Sequence, residues 1–384
     1  MNNQSLYKTN NLIRRAQSYV LNRKLITFHS NDRDINKWPS ANNFEIELPD
    51  TLTNIQSLRI VETSFPMQFY TFSNEYQNTK MSFRVLPTLR DTNIDVYNIL
   101  KQFSKFIYTI DIQEGIYTPE QLSLEITNLM NNIVTVFLIS KGISEIDAAY
   151  TYFKVTFDDV SQKFIFGNKF DNFVLEFDVK ESYTLATECR QPDVWGQYTN
   201  WGLPYYIGYE KKTYIATIAT MENNLYYRDD PKWLKPAVIN SNTYVVKAVS
   251  KECLFGDSVM YMEIDKFNSM GEIVPFSYST NSLYNNDYNG VMNAAFEKIP
   301  LNMGSCSNKI DTYQTFNSSN LNLQNISHYE PPIETIRKLK FKFRFHDGRL
   351  VDFQKCNFNF TIEFMCLQDE IHREYTLRVP TAYN

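Results

Sequence analysis

Over much of the chain, apolar and polar residues alternate with a period of two, the signature of half-buried strands. Phe44, Ile46 and Leu48 face one way and Glu45 and Glu47 the other, and Pro49 is expected to end the run. Shorter strands are predicted at 58–61, 81–85, 152–157, 163–166, 214–218, 244–249 and 259–264, and Phe173, Leu175 and Phe177 alternate as well. The clearest pattern is near the C-terminus. Leu339, Phe341, Phe343 and Phe345 alternate with Lys338, Lys340, Lys342 and Arg344, and Asp347-Gly348 marks a tight, solvated hairpin turn. Phe358, Phe360, Ile362 and Phe364 then alternate with Asn357, Asn359, Thr361 and Glu363. The Phe-lined faces are predicted to be core, since burying each ring stabilises by roughly 1.5–3 kcal/mol.

One segment has the helical period instead. Thr118 caps, Pro119 takes the first helical position, and Gln121 completes a capping box. Leu122, Ile126, Leu129, Met130 and Ile133 then form a stripe, so a helix is predicted over about 119–133. Many short strands and one inserted helix predict an all-β, mainly antiparallel fold, a jelly-roll-like β-sandwich. The body is read as 25–368, with a division into two subdomains near 180–210 left open and a polar tail at 369–384. Segment 191–210 is rich in Trp, Tyr and Gly and is expected to be an irregular aromatic loop. Segment 278–293 is expected to be a long polar loop.

Charge is uneven. The chain carries −5 overall, yet residues 1–31 hold Lys8, Arg14, Arg15, Arg23 and Lys24 and no acid, so the remainder carries −10. Residues 1–24 are therefore read as a basic arm. Leu12, Ala16, Tyr19 and Val20 fall near helical spacing in it. Such an arm packs on its own body, docks on a neighbouring subunit through Arg14 and Arg15, or lies on a membrane surface.

Composition removes several chemistries. In 384 residues there are 11 Gly, with no G-x-G-x-x-G and no G-x-x-x-x-G-K-[ST], so no phosphate cradle is legible. The four His (29, 328, 346 and 372) stand far apart, and the five Cys form no C-x-x-C. No metal, cofactor or catalytic set is expected, and the sparse, odd Cys set is that of reduced thiols. No secretory signal and no apolar run of membrane-spanning length is legible. A pair of carboxylates at glycosidase spacing is a remote alternative. The 39 Asn and the wealth of Phe and Tyr also match AT-rich codon usage.

Two features are candidates for binding. Lys338, Lys340, Lys342 and Arg344 line one face of one strand. They form a solvated face that resists edge pairing, a surface for an acidic protein, or a phosphate-binding row; the acidic body disfavours nucleic acid. Trp195, Trp201, Tyr205 and Tyr206 are candidates for internal packing, for a protein interface, or for stacking on carbohydrate in the loop 195–209.

Three blocks carry a family likeness. They are Phe28–Pro66, with S-N-D-R, F-E-I-E-L-P and L-T-N-I-Q-S-L-R-I; Gly115–Leu122, G-I-Y-T-P-E-Q-L; and Tyr329–Phe364. In this order they resemble a virion protein family of giant icosahedral double-stranded DNA viruses, the last block resembling its C-terminal hairpin. The resemblance implies a non-enzymatic minor capsid component, at a penton vertex or cementing the shell. Implied partners are the major capsid protein, other minor capsid proteins and copies of itself, as a pentamer at a vertex. Contact with an internal viral membrane is also implied, with no specific nucleic acid. The implied location is the virion, assembled in the host cytoplasm. The alternative is a carbohydrate-binding virion attachment protein using the aromatic loop.

Overall fold

The computed structural model describes residues 19–66, 69–74, 76–89, 93–179, 202–219, 243–273, 292–301, 313–317, 323 and 325–369. The chain opens with β1 (Tyr19–His29) and the long β2 (Asn43–Pro66). It continues through β3 (Lys80–Leu86), α1 (Ile94–Gln102), β4 (Tyr108–Asp111), α2 (Pro119–Ser140), β5 (Phe153–Asp158), β6 (Lys163–Asn168) and β7 (Asn172–Glu176). Next come α3 (Leu203–Tyr206), β8 (Thr213–Ile215), β9 (Thr217–Ile218) and β10 (Tyr244–Lys247). The last part holds β11 (Val259–Ile264), β12 (Met270–Ile273), β13 (Met292–Ala295), β14 (Glu297–Pro300), β15 (Tyr313–Asn317), β16 (Ser327–Arg344) and β17 (Asn359–Asp369).

All pairings between these strands are antiparallel. The two ends of the chain share one seven-stranded sheet in the order β1-β17-β2-β16-β11-β14, with β15 also on β2. The middle of the chain makes two four-stranded sheets, β5-β6-β10-β9 and β4-β3-β7-β8. These two face each other across packed rings: Phe153 lies 5.2 Å from Phe83 and 5.4 Å from Phe173. The protein is thus a mainly antiparallel β-sandwich fold, as the alternation predicts.

Two hydrophobic cores follow from this arrangement. The seven-stranded sheet curls around its own Phe residues: Phe341, Phe343, Phe345, Phe358, Phe360 and Phe364 are all buried, as their alternation requires. Phe343 meets Phe65, Phe353 and Phe358 at 5.1–5.6 Å between centroids. The second core lies between the four-stranded sheets and α2. The chain passes from one core to the other between Phe69 and Phe72 and again between Leu254 and Met260. Near 180–210, residues 180–201 lie outside the described residues, and Leu203, Tyr206, Ile207 and Tyr209 belong to the second core.

Several expectations are corrected. Tyr19 and Val20 are strand, not helix: β1 pairs with β17 through Tyr19↔Asp369 to His29↔Asn359 without a register shift. Residues 19–24, inside the expected arm, therefore belong to the large sheet of the body. Pro49 does not end β2. It sits where the register with β16 slips between Leu52↔Ile336 and Glu47↔Lys338, so its missing N–H removes no ladder bond. The C-terminal strands are not a hairpin, because β2 separates β16 from β17. Residues 350–353 add only a single bridge, Arg344↔Leu350. Helix α1 is an addition to the expected elements, and Met292 and Asn293 of the expected polar loop belong to β13.

Helix α2 has the capping box in full, with the Gln121 amide N–H on Thr118 Oγ1 (3.2 Å) and the Thr118 N–H on Gln121 Oε1 (3.0 Å). It runs to Ser140, almost two turns beyond the expected end, and stops before Gly142, whose φ is +93°. It is long and apolar enough to cross a membrane by length and composition. Its faces are otherwise engaged. Leu122, Ile126, Met130, Val134 and Leu138 are in the core. One helical turn apart, Thr127, Asn131 and Thr135 close the open edge beside β5. Asn131 accepts from the Phe153 N–H (3.0 Å) and donates to its carbonyl (2.9 Å), while Thr127 and Thr135 accept from the Val155 and Tyr150 N–H groups at 2.8 and 3.0 Å.

Candidate functional site

The basic row on β16 meets an acidic row on β2. The register sets Lys340 opposite Glu45 and Lys338 opposite Glu47. Lys338 reaches Glu45 at 3.4 Å, Arg337 reaches Glu47 at 2.9 Å, and Lys342 reaches Glu263 on β11 at 3.2 Å. Lys340 stands over the Trp38 ring, 5.3 Å from its centroid. Its partners neutralise this face, so it does not present four free cations.

Arg344 departs furthest from expectation. Its side chain is 2 % exposed, because β12 covers the sheet at this point. It forms ion pairs with Glu263 and, at 2.5 Å, with Glu272 of β12. His346 Nδ1 also donates to Glu272, at 2.5 Å, and the Arg344 guanidinium lies 5.2 Å from the Tyr261 centroid. The contact tethers the β12–β13 pair to the large sheet. Arg344 is therefore an internal clamp and not a surface residue.

The turn after β16 forms as predicted, with Phe345 N–H on the Arg349 carbonyl (2.8 Å) and Gly348 at φ +85°. It is not solvated. Asp347 and Arg349 are buried where the two cores meet. Arg349 pairs with Asp347 and with Asp257 (3.3 Å), and its guanidinium lies 3.9 Å from the Tyr76 centroid. Burial pushes the Asp257 carboxyl above its ordinary value, against the pull of Arg349. Beside it is a crevice of about 10 Å³ lined by Thr71, Tyr76, Tyr206, Asp257 and Phe345, room for one water.

The aromatic candidates divide. Trp195, Trp201, Arg14 and Arg15 lie outside the described residues. Tyr206 is buried in α3, 5.3 Å from Phe72, and belongs to the internal packing. Tyr205 is half-buried against Tyr206 and Cys253. Tyr209 donates to the Phe164 and Val246 carbonyls at 3.3 and 3.2 Å. Gly208, at φ +86°, lets this segment approach Ser250, whose carbonyl would stand 2.3 Å from a Cβ there.

Two features had no counterpart in the sequence reading. A groove of about 590 Å³ is lined by Tyr70, Asn74, Asp111, Gln113, Glu114 and Glu125, with Lys80 3.8 Å from Asp111. On the outer face of the seven-stranded sheet, Arg23 and Arg59 both grip Glu363. Burial opposes its charge, but the two guanidiniums prevail and hold the carboxyl below its ordinary range. Among the described residues, no group of three or more His, Cys, Asp or Glu is placed to hold a metal.

Two solved structures resemble this one over most of its length. The mavirus penton protein matches over 91 % of this chain and 99 % of its own, at 10 % identity and a TM-score of 0.40. A chain of the Sputnik virophage, from its 3.5 Å cryo-EM structure, matches over 91 % and 98 %, at 12 % identity and a TM-score of 0.40. No family model and no curated protein matches the sequence.

Proposed function

We propose that this chain is a structural component of a virion, a minor capsid protein of a large icosahedral double-stranded DNA virus that stands at a vertex or cements its neighbours. One observation carries the reading. The blocks with the family likeness are far apart in sequence but built into one framework: the first spans β2, the last spans β16 and most of β17, and these flank β2 in a single sheet. The middle block is the capped start of α2. The likeness therefore rests on elements that determine the fold together.

The role is structural, not enzymatic, and needs no cofactor. The described ionic clusters support this, since each ties one element to another: Arg344 joins β16 to β11 and β12, and Glu363 joins β17 to β1 and β2. The partners are the major capsid protein, other minor capsid proteins and further copies of the chain, five at a vertex. Arg14, Arg15, Trp195, Trp201 and Tyr205 are the proposed contacts. The acidic groove at Asp111, Glu114 and Glu125 suits a basic arm from a neighbouring copy by charge. The outer face of α2, with Leu124, Val136 and Ile139 exposed, suits an apolar neighbour such as an internal viral membrane.

The test is quantitative mass spectrometry of purified virions with native mass measurement of the isolated protein. The expected result is a stoichiometric virion protein, with a five-chain species if it forms the vertex. Absence from purified particles would overturn the proposal.

A further inference from the structure

The sheets differ in how their edges are closed. The outer edge of β5 is capped by Thr127 and Asn131 of α2. β9 has two residues, β8 three, β4 four, and β14 four ending in Pro300. Short edges and Pro are ordinary ways of blunting a strand against further pairing. β1 has neither. It is an 11-residue edge strand without Pro, Gly or bulge, paired among the described residues with β17 alone.

The direction of its free groups follows from the register. Ser30 N–H, next in line after β1, donates to the Phe358 carbonyl at 2.9 Å. Bonding toward β17 thus belongs to the even-numbered residues of β1. By the antiparallel alternation, Tyr19, Leu21, Arg23, Leu25, Thr27 and His29 turn N–H and C=O away from the sheet. Side chains at the same positions are exposed, including large apolar ones: Tyr19 54 %, Leu21 50 % and Leu25 52 %. Unpaired backbone groups in a row beside exposed apolar side chains form a template for one more strand.

Charge decides what that strand is. β1 contains Arg23 and Lys24 and no acid. Arg23 shares Glu363 with Arg59, so two guanidiniums face one carboxylate and a positive charge remains. A second copy of β1 paired antiparallel about its centre would set Arg23 or Lys24 opposite its own equivalent, and like charges directly opposite are unfavourable. We propose that the outer edge of β1 is a docking edge for an extended acidic strand of a partner chain, which adds as the next strand of the seven-stranded sheet. Alternating apolar and acidic residues match it, the apolar ones covering Leu21 and Leu25 on one face and the acidic ones meeting Lys24 on the other. The edge has this chemistry whether or not the chain is a virion protein.

The test uses the full chain and two fluorescent nine-residue peptides, one alternating Val and Glu and the other Val and Lys. By fluorescence anisotropy at low salt, the Glu peptide is expected to bind at least about tenfold more tightly than the Lys peptide. Its binding should weaken as salt is added. Leu21→Pro and Leu25→Pro each remove one outward N–H and leave the ladder to β17 intact, and each is expected to weaken the Glu peptide about fivefold or more. If either variant fails to fold by circular dichroism, hydrogen exchange of 19–29 in the unaltered chain decides: alternate amides exchange fast when free and are protected by the Glu peptide. Equal binding of both peptides, undiminished binding by folded Pro variants, amides already protected in the free chain, or self-association through this edge would each overturn the proposal.

Discussion

Replacing Asn131 by Ala removes the most concentrated polar contact between α2 and the sheet it covers. Asn131 makes two bonds to one residue, accepting from Phe153 N–H at 3.0 Å and donating to Phe153 C=O at 2.9 Å. Each bond contributes about 0.5–1.5 kcal/mol net, and a buried group left without a partner costs about 1–3 kcal/mol. Phe153 is buried, but Asn131 itself is half-exposed, so water reaches the orphaned groups in part and the lower figures apply. Against this, Ala is the better helix former by roughly 0.5 kcal/mol. The expected net loss is about 0.5–2.5 kcal/mol. Urea unfolding followed by circular dichroism measures it, with an unchanged slope showing that the same surface unfolds. Asn128→Ala is the control: it lies exposed on the same helix and should stabilise by a few tenths of a kcal/mol. A change of less than 0.5 kcal/mol at Asn131, or equal damage at Asn128, would refute the idea that α2 closes the β5 edge; these thresholds are roughly the reach of propensity alone.

Glu297 is buried on β14 beside Met262 of β11, and burial pushes its carboxyl from 4.5 up to about 8. The folded chain therefore keeps a proton that the unfolded chain releases, so this group's contribution is full below pH 4.5 and is lost as pH rises to about 8. Glu297→Gln should match the parent at acidic pH and exceed it above pH 8 by about 3–5 kcal/mol, seen as a rise in Tm in alkaline melts only. Arg344→Ala should cost about 3–5 kcal/mol in urea unfolding, because Glu263 and Glu272 lose their shared cation; a loss under about 1 kcal/mol would mean that the clamp contributes little.

The strand content and the Phe cores were legible because each depends on a local period. Alternation at 341–345 and 358–364 fixes which face is buried, whatever lies next to the strand. Neighbours in the sheet were not legible by that route. The hairpin reading of 338–364 took sequence adjacency for pairing, whereas β2, almost three hundred residues earlier, lies between the two strands. A signal for this was present: Glu45 and Glu47 alternate on one strand as Lys338 and Lys340 do on the other, and opposite rows of this kind mark facing strands. The helix end was missed because Ile133-Val134-Thr135-Val136 is β-branched and so mimics a strand; Gly142 was the better marker. Burial of Arg344 could not be read locally, since its carboxylates come from β11 and β12, and Arg349 has a local partner in Asp347 but draws its second, Asp257, from the segment before β11.

These pairings also change where the electrostatic attraction resides. Read alone, β16 is the most basic strand of the body and the natural place for phosphate or an acidic partner. Its cations are matched across the sheet, and a matched row has little field beyond about 8–10 Å at physiological salt. By sequence, charge is concentrated instead at the N-terminal end: residues 1–31 carry five cations, of which Arg23 is held by Glu363, and no acid, while the remainder carries −10. Where copies of the chain assemble as proposed, a basic end and an acidic body favour end-to-body contact, in a head-to-tail sense that closes into rings or continues as arrays. Association of this kind is steered by charge, so it should slow and weaken as salt rises, while the Phe cores that hold each subunit together are indifferent to it. Subunit folding and subunit assembly therefore draw on different parts of the sequence, and salt should separate them: dissociation at high salt with the circular dichroism spectrum unchanged.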